Sequence, residues 1–199
     1  SVTLLLILIG ALGIFLMEQE SEAFAGKTLS EQAAGALFQS VTARTAGFNT
    51  LNLSAMTQSS QFLLICLMMI GGSPGSTAGG IKTNRLVLAM KMMRTRLRQQ
   101  QHPNAIIRIR LDGVIQETEA LHSVMIFIVA YLMLILAGTV FGTIFGVDLM
   151  TSFSGAVASI GNVGPGFGEV GSMDNFSALP GVFKLSNSLL RSEEHTSEL

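Results

Sequence analysis

Gly71 to Thr83 reads GGSPGSTAGGIKT, a run of residue types suited to holding phosphate. Four residues separate Gly75 from Gly80 and a Lys-Thr pair follows, which nearly completes the loop that cradles nucleotide phosphates. Ile81 spoils the match by separating Gly80 from Lys82. Two other segments suit a different chemistry. Thr45-Ala46-Gly47-Phe48 and Asn162-Val163-Gly164-Pro165 each set a glycine among small or apolar residues, so their common ligands are backbone carbonyls. Such oxygens can replace the hydration shell of a dehydrated cation. Other site chemistries find little support. Cys66 is the single cysteine, and His102, His122 and His195 stand apart without ligand spacing, so neither disulfide frameworks nor transition-metal centres are expected.

The elements that must position these segments follow from composition. Charged residues make up 13% and hydrophobic residues 49% of the 199, and the mean hydropathy is positive at +0.53. Soluble domains carry about 25% charged residues, so a membrane protein is expected. Val2 to Met17 contains no charge, and Ala120 to Val147 is a run of 28 residues without Asp, Glu, Lys or Arg, long enough to span a bilayer with some tilt. Phe62 to Ile70 is too short to span alone, and helix-like sequence resumes at Leu86 beyond the glycine-rich run. A helix broken in the middle is expected there. Eight of the twelve Lys and Arg residues lie between Lys82 and Arg110, which places this stretch in the cytoplasm by the positive-inside rule. Glu18, Glu20, Glu22, Glu169 and Asp174 then fall on the outer side.

Two segments on that outer side are helix-forming but too polar and too short to cross. Leu29 to Thr42 and Leu149 to Ile160 are each followed by non-helical sequence, RTAGFNT and GNVGPGFG. The chain thus repeats one pattern of spanning helix, re-entrant helix, glycine turn and spanning helix, with Gly47 and Gly164 in corresponding places. Non-helical backbone at membrane depth is tolerated only when buried in protein or lining a water-filled path. The carbonyl end of a short helix adds partial negative charge there, which favours a cation.

SVTARTAGFNT, GGSPGSTAGGIKT and IGNVGPGFG, in this order, closely resemble the third and fourth repeats of the Trk/Ktr/HKT cation transporters, most closely the bacterial KtrB-type subunit. The resemblance covers nearly all of residues 1 to 190. It implies an all-α membrane protein with two helix, re-entrant pore helix, helix repeats of a four-repeat potassium pore. Residues 1–97 would be the third repeat with its broken second helix, 98–118 the basic cytoplasmic linker, and 119–190 a truncated fourth repeat. It also implies that carbonyls of Thr45, Ala46, Gly47, Phe48, Asn162, Val163, Gly164 and Pro165 form half of a potassium filter. Gly71, Gly72, Ser73, Pro74, Gly75, Ser76, Thr77, Ala78, Gly79 and Gly80 would be an intramembrane gate loop. The implied function is potassium uptake across the bacterial plasma membrane, without enzyme activity. Potassium is then the only metal and the cargo, no cofactor is held, and sodium is a candidate activator. Implied partners are a second copy, membrane lipid and a cytosolic ring of nucleotide-binding regulatory subunits of the KtrA/TrkA type, with no nucleic acid.

In that family an arginine of the last spanning helix contacts the gate loop. Here the helix stops after SNSLL, and RSEEHTSEL, residues 191–199, is what a common sequencing adapter encodes in frame. The tail is therefore expected to be adapter read-through, and Arg191 is not assigned the gate role. Arg44 is expected to brace the first turn, with Glu31 one possible partner. Lys82 and Arg85 are expected to mark the cytoplasmic membrane edge, and Lys184 to snorkel to the outer interface. Two other function classes compete. A nucleotide hydrolase would use GGSPGSTAGGIKT catalytically but lacks the charged machinery around it. A non-transporting membrane scaffold would leave the two glycine turns unexplained.

Overall fold

A computed structural model of the chain describes residues 2–44, 46–73, 75–76, 78–101, 109–111, 114–115, 118–164, 166–168 and 181–192. The fold is helical. Helix α1 (Val2–Met17) leads to the short α2 (Leu29–Thr42), and a 3-10 turn at Leu53–Ala55 precedes α3 (Gln58–Met69). After a break, α4 (Thr83–Gln101) follows, then the long α5 (Thr118–Ile144), the short α6 (Leu149–Ile160) and α7 (Gly181–Ser192). Between α4 and α5, two-residue strands β1 (Arg110–Leu111) and β2 (Val114–Ile115) pair antiparallel, Arg110 opposite Ile115.

The short helices start where side chains satisfy their free amides. Thr28 caps α2 in a capping box: its hydroxyl accepts from the Glu31 amide at 3.4 Å, and the Glu31 carboxylate accepts from the Thr28 amide at 2.8 Å. Asp148 caps α6 by accepting from the Met150 amide at 3.0 Å. Each short helix lies against the long helix before it through a small residue. Gly10 of α1 leaves room for Ser40 of α2, whose hydroxyl donates to the Ile7 carbonyl at 2.8 Å. A Cβ on Gly142 of α5 would stand 2.8 Å from the Ser152 Cβ of α6.

One core joins both halves. Ile14, Phe24, Leu64, Ile65 and Met68 pack in the same cluster as Tyr131, Ile135, Val157, Ile160 and Phe167. The outer faces of α1 and α5 stay apolar: Leu4, Leu8, Leu12 and Leu16, and Ile126, Met133, Leu136 and Ile144, are all more than half exposed. Apolar surface of this extent marks a face that meets lipid or further protein. Among the described residues one helix, Glu119–Ile144, is long and apolar enough to cross a membrane, with a hydropathy of 2.7 over its most apolar stretch.

α4 continues to Gln101, so the charges from Lys91 to Arg98 are carried on a helix and the first four residues of the expected linker are helical. Within the expected linker 98–118, residues 102–108, 112–113 and 116–117 lie outside the described residues, and the strand pair lies between them. Of the tail expected to be foreign, Arg191 and Ser192 continue α7, while 193–199 lie outside the described residues.

Glu18 fastens the end of α1 to the start of α3. Its buried carboxylate accepts from the Thr57 amide at 2.9 Å and the Thr57 hydroxyl at 2.7 Å, one residue before α3 begins. Negative charge at a helix N-terminus is favourable. Burial opposes the charge, yet the surrounding hydroxyls of Ser21, Ser60 and Thr57 and the Thr57 amide hold the pKa below the ordinary carboxylate value. A depressed folded pKa gives stability that is present above the unfolded value and lost as pH falls through the folded one. Glu18→Ala is therefore expected to cost about 1–3 kcal/mol, the loss of charged hydrogen bonds in a buried place. Thermal unfolding of the detergent-solubilised full-length protein at pH 7 and pH 4 checks this: the gap between wild type and variant should narrow at pH 4.

Candidate functional site

The glycine-rich run is a loop with a closed neck. Ile70 and Ile81 form a parallel bridge, the Gly71 amide donates to the Ile81 carbonyl at 3.0 Å, and the Ile81 amide donates to the Met69 carbonyl at 3.0 Å. One residue further out, the Thr83 amide donates to the Gly72 carbonyl at 3.1 Å. Ile81 is itself buried in the shared core. Gly71, Gly79 and Gly80 are buried, whereas Ser73 and Gly75 are exposed, so the loop hangs from a packed neck. At its tip the Ser76 amide and hydroxyl donate to the Ser73 carbonyl. Pro74 and Thr77 lie outside the described residues.

This geometry does not suit a phosphate loop. Such a loop links a strand to a helix and aims its amides at the ligand. Here helix α3 precedes the run, the amides of Gly71, Ile81 and Thr83 are spent on the neck, and the residue that breaks the motif holds the neck in the core.

The two glycine turns follow the C-terminal ends of α2 and α6. In the first, the Ala46 and Gly47 amides donate to the Thr42 carbonyl at 3.1 and 3.3 Å. The Thr42 hydroxyl then grips Phe48 at both peptide groups, donating to its carbonyl at 2.6 Å and accepting from its amide at 2.9 Å. Behind it the buried Gln39 donates to the Asn49 side chain at 3.1 Å. In the second turn the Val163 amide donates to the Ala158 carbonyl at 2.9 Å, and the Ser154 hydroxyl accepts from the Phe167 amide at 2.9 Å and reaches the Phe167 carbonyl at 3.4 Å. Thus a hydroxyl on each short helix clasps both backbone groups of a phenylalanine, the last residue of the first turn and one shortly past the second. Gly47 and Gly164 have φ of +75° and +112°, and Asn162 sits at +52°. Thr45 and Pro165 lie outside the described residues.

The end of α3 joins the loop to the second turn. A Cβ on Gly161 would stand 3.3 Å from the Met68 carbonyl oxygen, and one on Gly80 would stand 3.4 Å from the same atom. One carbonyl of α3 is therefore packed between the loop neck and the turn that carries Asn162, Val163 and Gly164.

One suggested pairing does not form. Glu31 does not reach Arg44: it closes the cap at the other end of α2, about 20 Å away for a 14-residue helix. The three guanidinium nitrogens of Arg44 are buried and make no hydrogen bond among the described residues. Arg85, expected at the cytoplasmic membrane edge, has its guanidinium carbon 3.9 Å from the centroid of the Phe127 ring on α5. The hydroxyls of Thr42 and Ser154 were not singled out by sequence. The one available signal was a small hydroxyl residue on each short apolar helix that leads into a glycine turn.

A family model described as "TrkH: Cation transport protein" matches residues 1–187. Among curated proteins, the chain is 36% identical over 150 residues to "Trk system potassium uptake protein TrkH" of Escherichia coli strain K12, covering 75% of this chain and 31% of that protein. It is 33% identical over 183 residues to "Trk system potassium uptake protein TrkI" of Halomonas elongata, covering 91% of this chain and 36% of that one. It is 41% identical over 101 residues to "Ktr system potassium uptake protein B" of Vibrio alginolyticus, covering 50% of this chain and 22% of that one. The crystal structure of the potassium transporter TrkH from Vibrio parahaemolyticus superposes with a TM-score of 0.84 at 26% identity, over 96% of this chain and 40% of that one. The chain spans about a third of the length of these Trk relatives.

Proposed function

Because the chain belongs to the TrkH family of cation transport proteins, we propose that it carries the third and fourth helix, pore helix, helix units of a bacterial potassium uptake subunit. In this reading α1, α2 and α3–α4 form one unit, and α5, α6 and α7 the other. Carbonyls of Thr45, Ala46, Gly47 and Phe48, with those of Asn162, Val163, Gly164 and Pro165, supply half of the filter. The observation that carries the reading is the pair of clasped glycine turns, each at the carbonyl end of a short helix that packs on a long apolar one. A carbonyl-lined turn held by a buried hydroxyl keeps its oxygens at fixed spacing, which lets a dehydrated ion be recognised by distance. Arg44 braces the first turn from its buried position.

Gly71 to Gly80 gates the path beneath the filter. Its neck is fixed in the core and Ser73 and Gly75 beyond it are exposed, so the outer loop can swing while the neck stays in place. No covalent chemistry is involved. The complete protein works in the inner membrane as a dimer, with residues 82–110 on the cytoplasmic side against a nucleotide-binding regulatory ring, and sodium is a candidate activator. The test uses the full-length gene in cells that lack potassium uptake. Rubidium uptake and growth at low potassium are expected to return, and normal membrane expression with no uptake, in the presence of the regulatory partner and sodium, would overturn the reading.

A further inference from the structure

We propose that Arg85 and Phe127 form a latch that locks α4 to α5 and thereby holds the neck of the glycine-rich loop; the inference rests on the gating reading above. Thr83, the first residue of α4, is itself part of the neck, since its amide and hydroxyl both point to the Gly72 carbonyl. Two residues later Arg85 lies over the Phe127 ring with its guanidinium carbon 3.9 Å from the centroid, well inside the range of a cation–π contact. Phe127 in turn stacks on Tyr131, with centroids 6.3 Å apart and planes 19° from parallel. Tyr131 is buried in the cluster that contains Ile81, the residue on the other side of the neck. The contacts therefore close a ring: neck, α4, Arg85, Phe127, Tyr131, core and neck again.

The setting of the contact gives it consequence. Phe127 lies eight residues past Glu119, about 12 Å along the apolar helix. A guanidinium laid against so apolar a helix is costly unless a specific partner receives it. The aromatic face is that partner here. Beyond the latch, α4 runs on as a helix that carries Lys91, Arg94, Arg96 and Arg98 to Gln101. It is a continuous rod from a basic end to the loop neck. With the latch closed, the rod cannot shift along α5 without dragging a charge off its ring. With the latch lost, thermal motion of α4 reaches the neck and the loop leaves the path more often. Arg85 and Phe127 are thus positioning residues and touch no ion.

The experiment measures rubidium uptake by the full-length protein in cells lacking other potassium uptake and lacking the regulatory partner, normalised to the amount in the membrane fraction. Arg85→Leu and Phe127→Leu are each expected to raise this basal uptake at least about threefold, and the double variant to add nothing further, as two halves of one contact should. Phe127→Trp keeps the aromatic face and is expected to restore wild-type uptake, which a merely volume-dependent role would not do. Inhibition by competing sodium should stay unchanged in every variant, because the glycine turns are untouched. Equal effects of Phe127→Leu and Phe127→Trp, or additive effects of the two leucine variants, would overturn the latch. Deletion of residues 73–79 separates the premises. If the deletion raises uptake while the latch variants do not, the latch is wrong and gating stands; if the deletion leaves uptake unchanged, gating itself fails and the latch with it.

Discussion

Alanine at Gly164 is expected to lower potassium uptake by the full-length protein at least about tenfold while leaving its amount in the membrane unchanged. The reason is conformational and not steric. No atom lies within 4 Å of where a Cβ on Gly164 would stand, so the space is open, but the residue has φ of +112°. That angle is closed to side-chain-bearing residues at modest cost, and even the milder left-handed region costs roughly 1–2 kcal/mol. The turn can escape only by rotating its peptides, and its neighbours restrict how it rotates. Val163 is buried in the core with its amide fixed to the Ala158 carbonyl, and Phe167 is clasped by Ser154. The relief must come from the carbonyls between them, which are the proposed ion ligands. Displaced carbonyls lose the spacing that recognises the ion, and the loss of about 1.4 kcal/mol of ion stabilisation at the limiting step is already about tenfold in rate. Rubidium uptake with parallel quantification of membrane protein measures it. Gly146→Ala makes the control: it too has positive φ and open space, +83° with nothing within 4 Å, but lies in the α5–α6 connection. Near-normal uptake is expected there, and equal loss in both variants would remove the filter assignment of Gly164.

The parts of the fold that could be read in the sequence are those set by local chemistry. Charge-free runs and glycine punctuation place α1, α2 and α6 at their observed bounds and α5 within three residues of its own, because a helix in an apolar setting is limited by where charges and glycines begin. The basic half of α4 was hidden by the opposite effect. Charge density between Lys91 and Arg98 resembles a solvated linker, yet Lys, Met, Arg, Leu and Gln are all good helix formers, and propensity rather than charge decided the outcome. The site was legible in its glycines and not in its supports. Gly47 and Gly164 announce unusual backbone angles, but the grip of Thr42 on Phe48 and of Ser154 on Phe167 depends on how far the chain folds back after each turn, which no periodicity records. Arg44 illustrates the same limit from the other side. Its nearest acidic residue on the same helix seemed a natural partner, but helical geometry put Glu31 at the far end and the capping box claimed it. Ile81 changed meaning most. In the sequence it is the insertion that spoils a phosphate loop, whereas in the fold it is the buried pin whose amide and carbonyl close the neck.

Alanine at Gly71 is expected to raise potassium flux, and the expectation follows from what a Cβ would meet at the neck. The nearest atom is the backbone carbonyl oxygen of Gly79, close enough that the two strands of the neck must part, with the Gly79 carbonyl carbon next at 3.1 Å. Backbone cannot rotate away as a side-chain tip can. Parting the strands strains the bond from the Gly71 amide to the Ile81 carbonyl and pulls at Ile81, which the core holds. The side that yields is the one with less packed against it, the loop from Gly72 to Gly80, whose outer residues Ser73 and Gly75 are exposed. A loop displaced from its neck no longer blocks the path beneath the filter, so rubidium uptake by the full-length protein should rise at least about threefold, toward the level of the 73–79 deletion. Gly75→Ala separates this from a general effect of altering the loop. Its φ is +80°, but nothing lies within 4 Å, so the strain stays at the exposed tip and uptake should remain near wild type. Selectivity offers the second readout, because an opened gate passes more of the same ion. Competing sodium should inhibit Gly71→Ala no more than wild type. A rise in uptake accompanied by lost discrimination would instead mean that the neck supports the second glycine turn through the shared Met68 carbonyl, and that Gly71 belongs to the filter's scaffold rather than to a gate.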